Sequence, residues 1–419
     1  MTLLRLAWKS LMARRLTVGL AVLSIAIGVA LLLTVERLRD GAKASFAGTI
    51  SDTDMIVGAR TGGVQLMLYS VFRIGSATNN ITWQSYQDIA QHRAVDWIVP
   101  ISLGDSHRGF RVVGTSSNYF DRLKVRGGQS LQFAEGQRFD DLFDVVLGAE
   151  VAERLGYRLG DSIVVSHGLG AAGLSEHDDK PFRISGILAK NGTPIDRSLH
   201  VSLEAIEAIH VDWRQGAPIP GVSISAEEVR SLPLRPRAVT AAFVGLKSRL
   251  AVFQFQRSVN DYREEPLSAV LPGVALQELW SVVGVAETAL SAVSILVVIA
   301  ALLGMATMLL ATLNERRREM AILRANGARA GTIFGLLMTE AAVIAVLGAI
   351  VGIALHSFAL LMAEGWLERA YGLYIPWKGL GIRDLAVLGG LAGAAALCGL
   401  LPALRAYRLS LIDGIGARL

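Results

Sequence analysis

Six of the seven histidines fall between residues 92 and 210: His92, His107, His167, His177, His200 and His210. The stretch SEHDDK sets His177, Asp178 and Asp179 side by side, with His167 ten residues earlier. Imidazole and carboxylate ligands suit Zn²⁺, so these four residues are the candidate metal ligands. No HExxH spacing accompanies them, and a solvated polar loop is the competing reading of the same residues. No nucleophile elbow of the GxSxG type is present, so the scattered Ser, His and Asp residues acquire no catalytic role. The run Thr193–Arg197 reads as a structural polar turn. A phosphate-cradling loop needs Gly-Lys followed by Ser or Thr, and Gly-Lys occurs nowhere in the 419 residues. The chain is therefore expected to be no enzyme and to bind no cofactor itself. ATP hydrolysis, with its Mg²⁺, would come from a partner.

A second pattern lies in residues 314–331, NERRREMAILRANGARAG. Glu315, Arg318 and Glu319 fall at helical spacing, as do Met320, Leu323 and Arg324, and Gly327 offers a C-cap. The segment reads as a short amphipathic helix. It holds no nucleophile, no His and no paired acid, so its chemistry is that of a docking surface for a soluble partner with acidic and apolar patches. A plain basic loop is the competing reading.

Both patterns need elements to position them. Hydrophobic residues make up 52% of the chain and charged residues 18%, with a mean hydropathy of +0.45. A soluble chain sits nearer a quarter charged. Four apolar runs account for the difference: residues 16–35, 281–313, 332–363 and 385–402. Twenty helical residues rise about 30 Å, the thickness of the hydrocarbon core. The first run is too long for a signal-peptide core and lies too far from Ala42-Lys43-Ala44, so it reads as an uncleaved anchor. The fourth is expected to stop at Pro402. Small residues recur at four-residue spacing, Ser24 with Gly28, Gly348 with Gly352 and Gly389 with Gly393, which lets helices approach closely within one chain or between two. Glu340 lies about 12 Å inside the third run by helical rise. It is an intramembrane functional candidate, with a structural bond to a neighbouring helix as the alternative. His356, in the same run, has the same two readings.

Charge orients the runs. Residues 1–15, 314–331 and 403–419 carry twelve basic against three acidic side chains, a net +9 that leaves −4 for the rest of the chain. The positive-inside rule puts these segments, and both termini, in the cytoplasm. Residues 36–280 and the short loop 364–384 then lie outside, in the periplasm of a Gram-negative cell. The basic residues flank apolar runs, so the basic pI implies a bilayer and not nucleic acid. Between residues 36 and 280, short Val- and Ile-rich runs alternate with helical segments: 54–57, 97–103, 110–113, 145–147, 162–166, 182–188, 200–203 and 238–246 as strands, and about 82–92, 149–155, 203–210 and 249–263 as helices. The fold class is thus an α-helical membrane protein with four transmembrane helices and a large α+β extracytoplasmic domain in two subdomains, with the Pro- and Gly-rich stretch 216–236 as a boundary or return segment. From Val274 a helical pattern runs unbroken into the second span and would link domain to membrane rigidly.

ERRREMAILRANGARAG, the span that follows it, the tail LPALRAYRLSLIDGIG, the external run VVLGAEVAERLGYRLGDSIVV and the N-terminal LAWKSLMARRLTVGLAVLSIAIGVAL together resemble the FtsX/MacB family of ABC transporter permeases. The resemblance covers almost the whole chain and is stronger to MacB and the lipoprotein-releasing permeases than to FtsX. It implies a MacB-like periplasmic core and a dimer with a second permease copy. It also implies two copies of a separate ABC ATPase gripping Glu315, Arg316, Arg317, Arg318, Glu319, Met320, Ile322, Leu323, Arg324 and Gly327. Mechanotransmission to an external substrate follows from the same resemblance, with a periplasmic adaptor, lipoprotein or metal-binding protein as further partner. The usual MacB-type chain has a fused ATPase, from which this sequence departs. Two rivals remain: an FtsX-like scaffold that activates an external partner, and a zinc-linked transport system.

Overall fold

The structure is a computed structural model and describes residues 3–125, 128–168, 177–214, 217–219, 224–315, 317–371, 379 and 381–415. It divides into two compact units, Met1–Gly41 with Gly284–Trp366 and Ile375–Leu419, and Ala42–Val283 with Leu367–Tyr374.

Four helices among the described residues are long and apolar enough to cross a membrane: Arg15–Lys43, Pro272–Leu313, Ala330–Trp366 and Asp384–Arg408. A lipid environment satisfies no backbone polar group, so an apolar run this long closes its hydrogen bonds internally as helix. Their inner faces share one cluster that includes Ile25, Val29 and Leu33, Leu302, Met305 and Leu309, Ala341 and Ile344, and Leu391 and Ala395. Leu16, Leu20, Leu23, Ile27 and Leu31 point outward, as side chains facing lipid should.

Three of the five spacing glycines explain the close packing. A Cβ on Gly28 would stand 3.1 Å from Val298, on Gly348 2.6 Å from Ile25, and on Gly352 2.8 Å from Val29 and from the Ala26 carbonyl. These glycines pack spans within the chain. Gly389 and Gly393 are exposed, and a Cβ there would meet nothing within 4 Å.

Pro402 does not end the fourth helix, which runs Ile382–Ile415 through it. Proline removes one N–H, but termination would strip several carbonyls of partners at once. Beyond it, Ala403 and Ala406 are fully buried against Leu313, Ile333 and Leu337. That packing holds the continuation in place, so the expected boundary at 402 marks no structural break.

The second unit is built on a mixed sheet in the strand order Leu267–Val270, Met55–Ala59, Ala241–Leu246, Val95–His107, Phe110–Thr115, Ser198–Ser202, Asp144–Leu147, Phe182–Leu188 and Phe133–Gly136. Two short strands join its sides: Ser166–His167 beside Val95–His107, and Ser162–Ile163 beside Phe182–Leu188. Each strand run read from the sequence is found, with two of them broken. Thr240 interrupts 238–246 by donating its N–H to Ile101 and pairing its hydroxyl with Leu103. The 162–166 run becomes the two short strands. The 200–203 run shifts to Ser198–Ser202, because Ser202 caps the helix Leu203–Ile209 by accepting from the Ala205 N–H.

The main sheet runs unbroken across this unit. Its faces are covered by separate clusters around Phe243 and Tyr119, around Phe182 and Val201, and around Phe255 and Val244. Ala275, Leu276 and Leu279, from the first turns of the helix Pro272–Glu315, belong to the cluster around Phe243.

Candidate functional site

Two places bring chemistry-bearing residues together. The first is the helix Arg317–Ala325 between the second and third spans. It ends where Gly327 turns left-handed at φ +90°, with Gly327 N–H donating to Arg324 and Ala328 N–H to Leu323. A residue with a Cβ is disfavoured in that conformation. Met320 packs toward Leu313, Ile333 and Leu337, while Glu319 and Ile322 face outward, Ile322 with 56% of its surface exposed. Leu323 and Arg324 are half-buried. Residue 316 and the side chains of Glu315, Arg317 and Arg318 lie outside the described residues.

Within the spans, Glu340 and His356 are buried. His356 Nδ1 stands 2.9 Å from Thr34 Oγ1 on the first helix. Near the same end, Arg37 pairs with Asp384 at 3.2 Å. His356 thus has a structural bond to a neighbouring span.

The second place is a cluster of Asp105, His167, His177 and His210, whose ligand-type atoms all lie within 4.8 Å of one another. Asp105 sits on the strand Val95–His107, and His167 is its cross-strand partner on Ser166–His167. His167 Nδ1 is 3.0 Å from Asp105 Oδ1 and 3.1 Å from His210 Nε2. His210 Nε2 is 3.4 Å from the same Asp105 oxygen. His210 caps the helix Leu203–Ile209, and its Nδ1 lies 2.8 Å from the Ile206 carbonyl. A carbonyl only accepts, so Nδ1 carries the hydrogen and Nε2 faces the cluster. His177 is held by its backbone N–H, which donates to the Val165 carbonyl. Its side chain is 1% exposed, and neither ring nitrogen has a hydrogen-bond partner among the described residues.

Trp213 walls the cluster, its ring centroid 4.4 Å from that of His177, 5.3 Å from His167 and 5.6 Å from His210. Beside it, Gly104 and Gly168 line a polar cleft of about 550 Å³ shared with Ser76–Asn80 and Arg111. Burial alone would raise the Asp105 carboxyl, but the hydrogen bonds and charge of His167 and His210 reverse this and hold it at about 2. Burial lowers His177 to about 4, with His210 beside it adding to the effect. Burial also opposes charge on His210, yet the neighbouring Asp105 outweighs it and raises that imidazole.

Two of the four residues expected as ligands lie in the cluster. His167 and His177 converge, but Asp178 is exposed and Asp179 is committed elsewhere. Asp179 pairs with Lys180, a fully buried ammonium that also holds Asp212 at 2.9 Å. The carboxylate that joins the histidines is Asp105. It and His210 lie 62 and 43 residues from His167 and share no motif with it. The remaining external histidines are structural. His107 bonds the Val164 carbonyl and the Tyr157 hydroxyl, His92 contacts the Ala94 N–H, and His200 is buried against Tyr119 and Phe120.

Residues 18–248 match the MacB-like periplasmic core domain, and residues 291–411 the FtsX-like permease C-terminal region. The macrolide export ATP-binding/permease protein MacB of Neisseria meningitidis is 21% identical over 423 residues, which cover 98% of this chain and 60% of that protein. The pyoverdine export ATP-binding/permease protein PvdT of Pseudomonas syringae pv. tomato is 24% identical over 429 residues, covering 96% and 57%. The chain therefore spans about three fifths of the length of these relatives. Among solved structures, the periplasmic region of MacB from Actinobacillus actinomycetemcomitans aligns with a TM-score of 0.34 at 12% identity, over 56% of this chain and 94% of that one. The extracellular domain of the ABC-type transporter YknZ from Gram-positive bacteria gives 0.31 at 12% identity, over 52% and 98%.

Proposed function

The chain belongs to the FtsX/MacB-like family of ABC transporter permeases, and from that premise we propose that it is the membrane subunit of a mechanotransmission system driven by a separate ATPase. In this reading two copies of the chain pair with two ATPase subunits. The ATPases grip the helix Arg317–Ala325 from the cytoplasm. The termini share that side, following the basic segments 1–15, 314–331 and 403–419. The substrate is exported or extracted at the outer face, without a role for this chain in hydrolysis.

The observation that supports the reading is the helix Arg317–Ala325 between the second and third spans, which leaves Glu319 and Ile322 exposed beside the buried contact of Met320. In this reading a nucleotide-driven movement is passed to the helix Pro272–Glu315. The helix Pro272–Glu315 contributes Leu302, Met305 and Leu309 to the span core and Ala275 to the core of the other unit. Its 44 residues rise about 66 Å, twice the hydrocarbon thickness.

The test is purification of the chain from its native membrane in mild detergent. An ATPase carrying a Gly-Lys-Ser/Thr loop should accompany it, and Ile322→Asp should lose that partner while the chain stays membrane-inserted. Recovery of the chain with no ATPase under conditions that preserve membrane complexes would count against the proposal.

A further inference from the structure

The cluster at Asp105 has the dimensions of a metal centre. Two ligands on a four-coordinate Zn²⁺ bonded at about 2.0–2.1 Å stand about 3.3 Å apart, the edge of the tetrahedron. The three separations among Asp105 Oδ1, His167 Nδ1 and His210 Nε2 are 3.0, 3.1 and 3.4 Å. Three atoms that all seek a proton or a cation therefore form one face of such a polyhedron.

His177 supplies the independent observation. Burying a polar ring without a hydrogen bond costs free energy, and both its nitrogens are buried without one. Its ligand atom lies within 4.8 Å of the other three, so an ion drawn between them meets a fourth donor. The Nδ1 of His210 on the Ile206 carbonyl is the outer partner that a ligating imidazole needs, since it fixes Nε2 as the donor.

We propose that Asp105, His167, His177 and His210 form a four-coordinate site for a divalent transition ion of the zinc type, which ties the strand Val95–His107, the strand Ser166–His167 and the end of the helix Leu203–Ile209 together. Three nitrogens and one oxygen suit Zn²⁺ and its neighbours and not Ca²⁺ or Mg²⁺, which take oxygen ligands. Four protein ligands leave no open position, so the site is structural or sensory and not catalytic. The assignment is independent of the transport reading, because it concerns this chain alone.

The experiment uses the full-length chain, free of any histidine tag, in detergent, stripped with chelator and titrated with ZnCl₂. About one ion should bind per chain, and its Tm should rise by about 5–10 °C at saturation. His210→Gln and His177→Ala should each weaken binding at least tenfold, while Asp178→Ala should leave it unchanged. Should a variant fail to fold, Co²⁺ in the wild-type chain decides the matter: intense visible bands of a tetrahedral ion support the site, and the pale spectrum of a six-coordinate ion overturns it. Uptake below about a tenth of an ion per chain, or uptake indifferent to His210→Gln, also overturns it.

Discussion

His167 and Asp105 are register partners on adjacent antiparallel strands, and their Nδ1 and Oδ1 atoms stand 3.0 Å apart although 62 residues separate them. The pairing makes the cluster a product of sheet register. A one-residue slip would turn one side chain to the opposite face and disperse the group.

The buried Lys180 should be a structural cornerstone. It neutralises Asp212, itself buried, and draws in Asp179. Lys180→Met leaves the Asp212 carboxylate buried without its cation, at a cost of about 3–5 kcal/mol. Thermal unfolding of the purified chain should show a markedly lower transition. Adding Asp212→Leu should recover much of the loss, since it removes the stranded charge.

The spacing glycines should separate into two groups. A side chain at Gly352 must displace Val29 and the Ala26 carbonyl, so Gly352→Val should destabilise the span bundle by about 1–3 kcal/mol. Gly389→Ala and Gly393→Ala meet open space within the chain inside the helix Ile382–Ile415, so their melting transitions should be no lower than that of the wild type. Detergent-resistant melting followed by tryptophan fluorescence distinguishes the groups.

His200 should confer acid sensitivity. Burial, with Arg73 nearby, lowers its pKa from 6.5 to about 3. The unfolded chain therefore binds this proton more readily than the folded one. Stability from the neutral ring is fully present above pH 6.5 and is lost progressively as pH falls toward 3. His200→Phe, which keeps the ring contacts with Tyr119 and Phe120, should flatten the fall in Tm over that window. An unchanged slope would show that other groups govern it.

Local signals carried most of the fold and two of the four residues in the Asp105 cluster. Hydropathy located the four long helices because each holds an apolar run of about one hydrocarbon thickness or more. Val- and Ile-rich alternation located eight strand runs. The edge strand Leu267–Val270 went unseen because its four residues, LSAV, include a single β-branched side chain. Pro402 misled because its local cost is real but smaller than that of abandoning the packing of Ala403 and Ala406. His167 and His177 drew notice by proximity in sequence. Asp105 and His210 could not, since only strand register and a helix end deliver them. Asp179 neighbours His177 in sequence, but Lys180, three residues from His177, holds its carboxylate.

The central claim is that a cytoplasmic ATPase grips the helix Arg317–Ala325. It is tested most directly by placing a photo-crosslinking residue at Ile322, exposed on the outward face, and irradiating intact membranes. The account predicts one dominant adduct joining this chain to a protein with a Gly-Lys-Ser/Thr phosphate loop, increased or diminished by nucleotide. Adducts only with lipid, or with proteins lacking that loop, would contradict it.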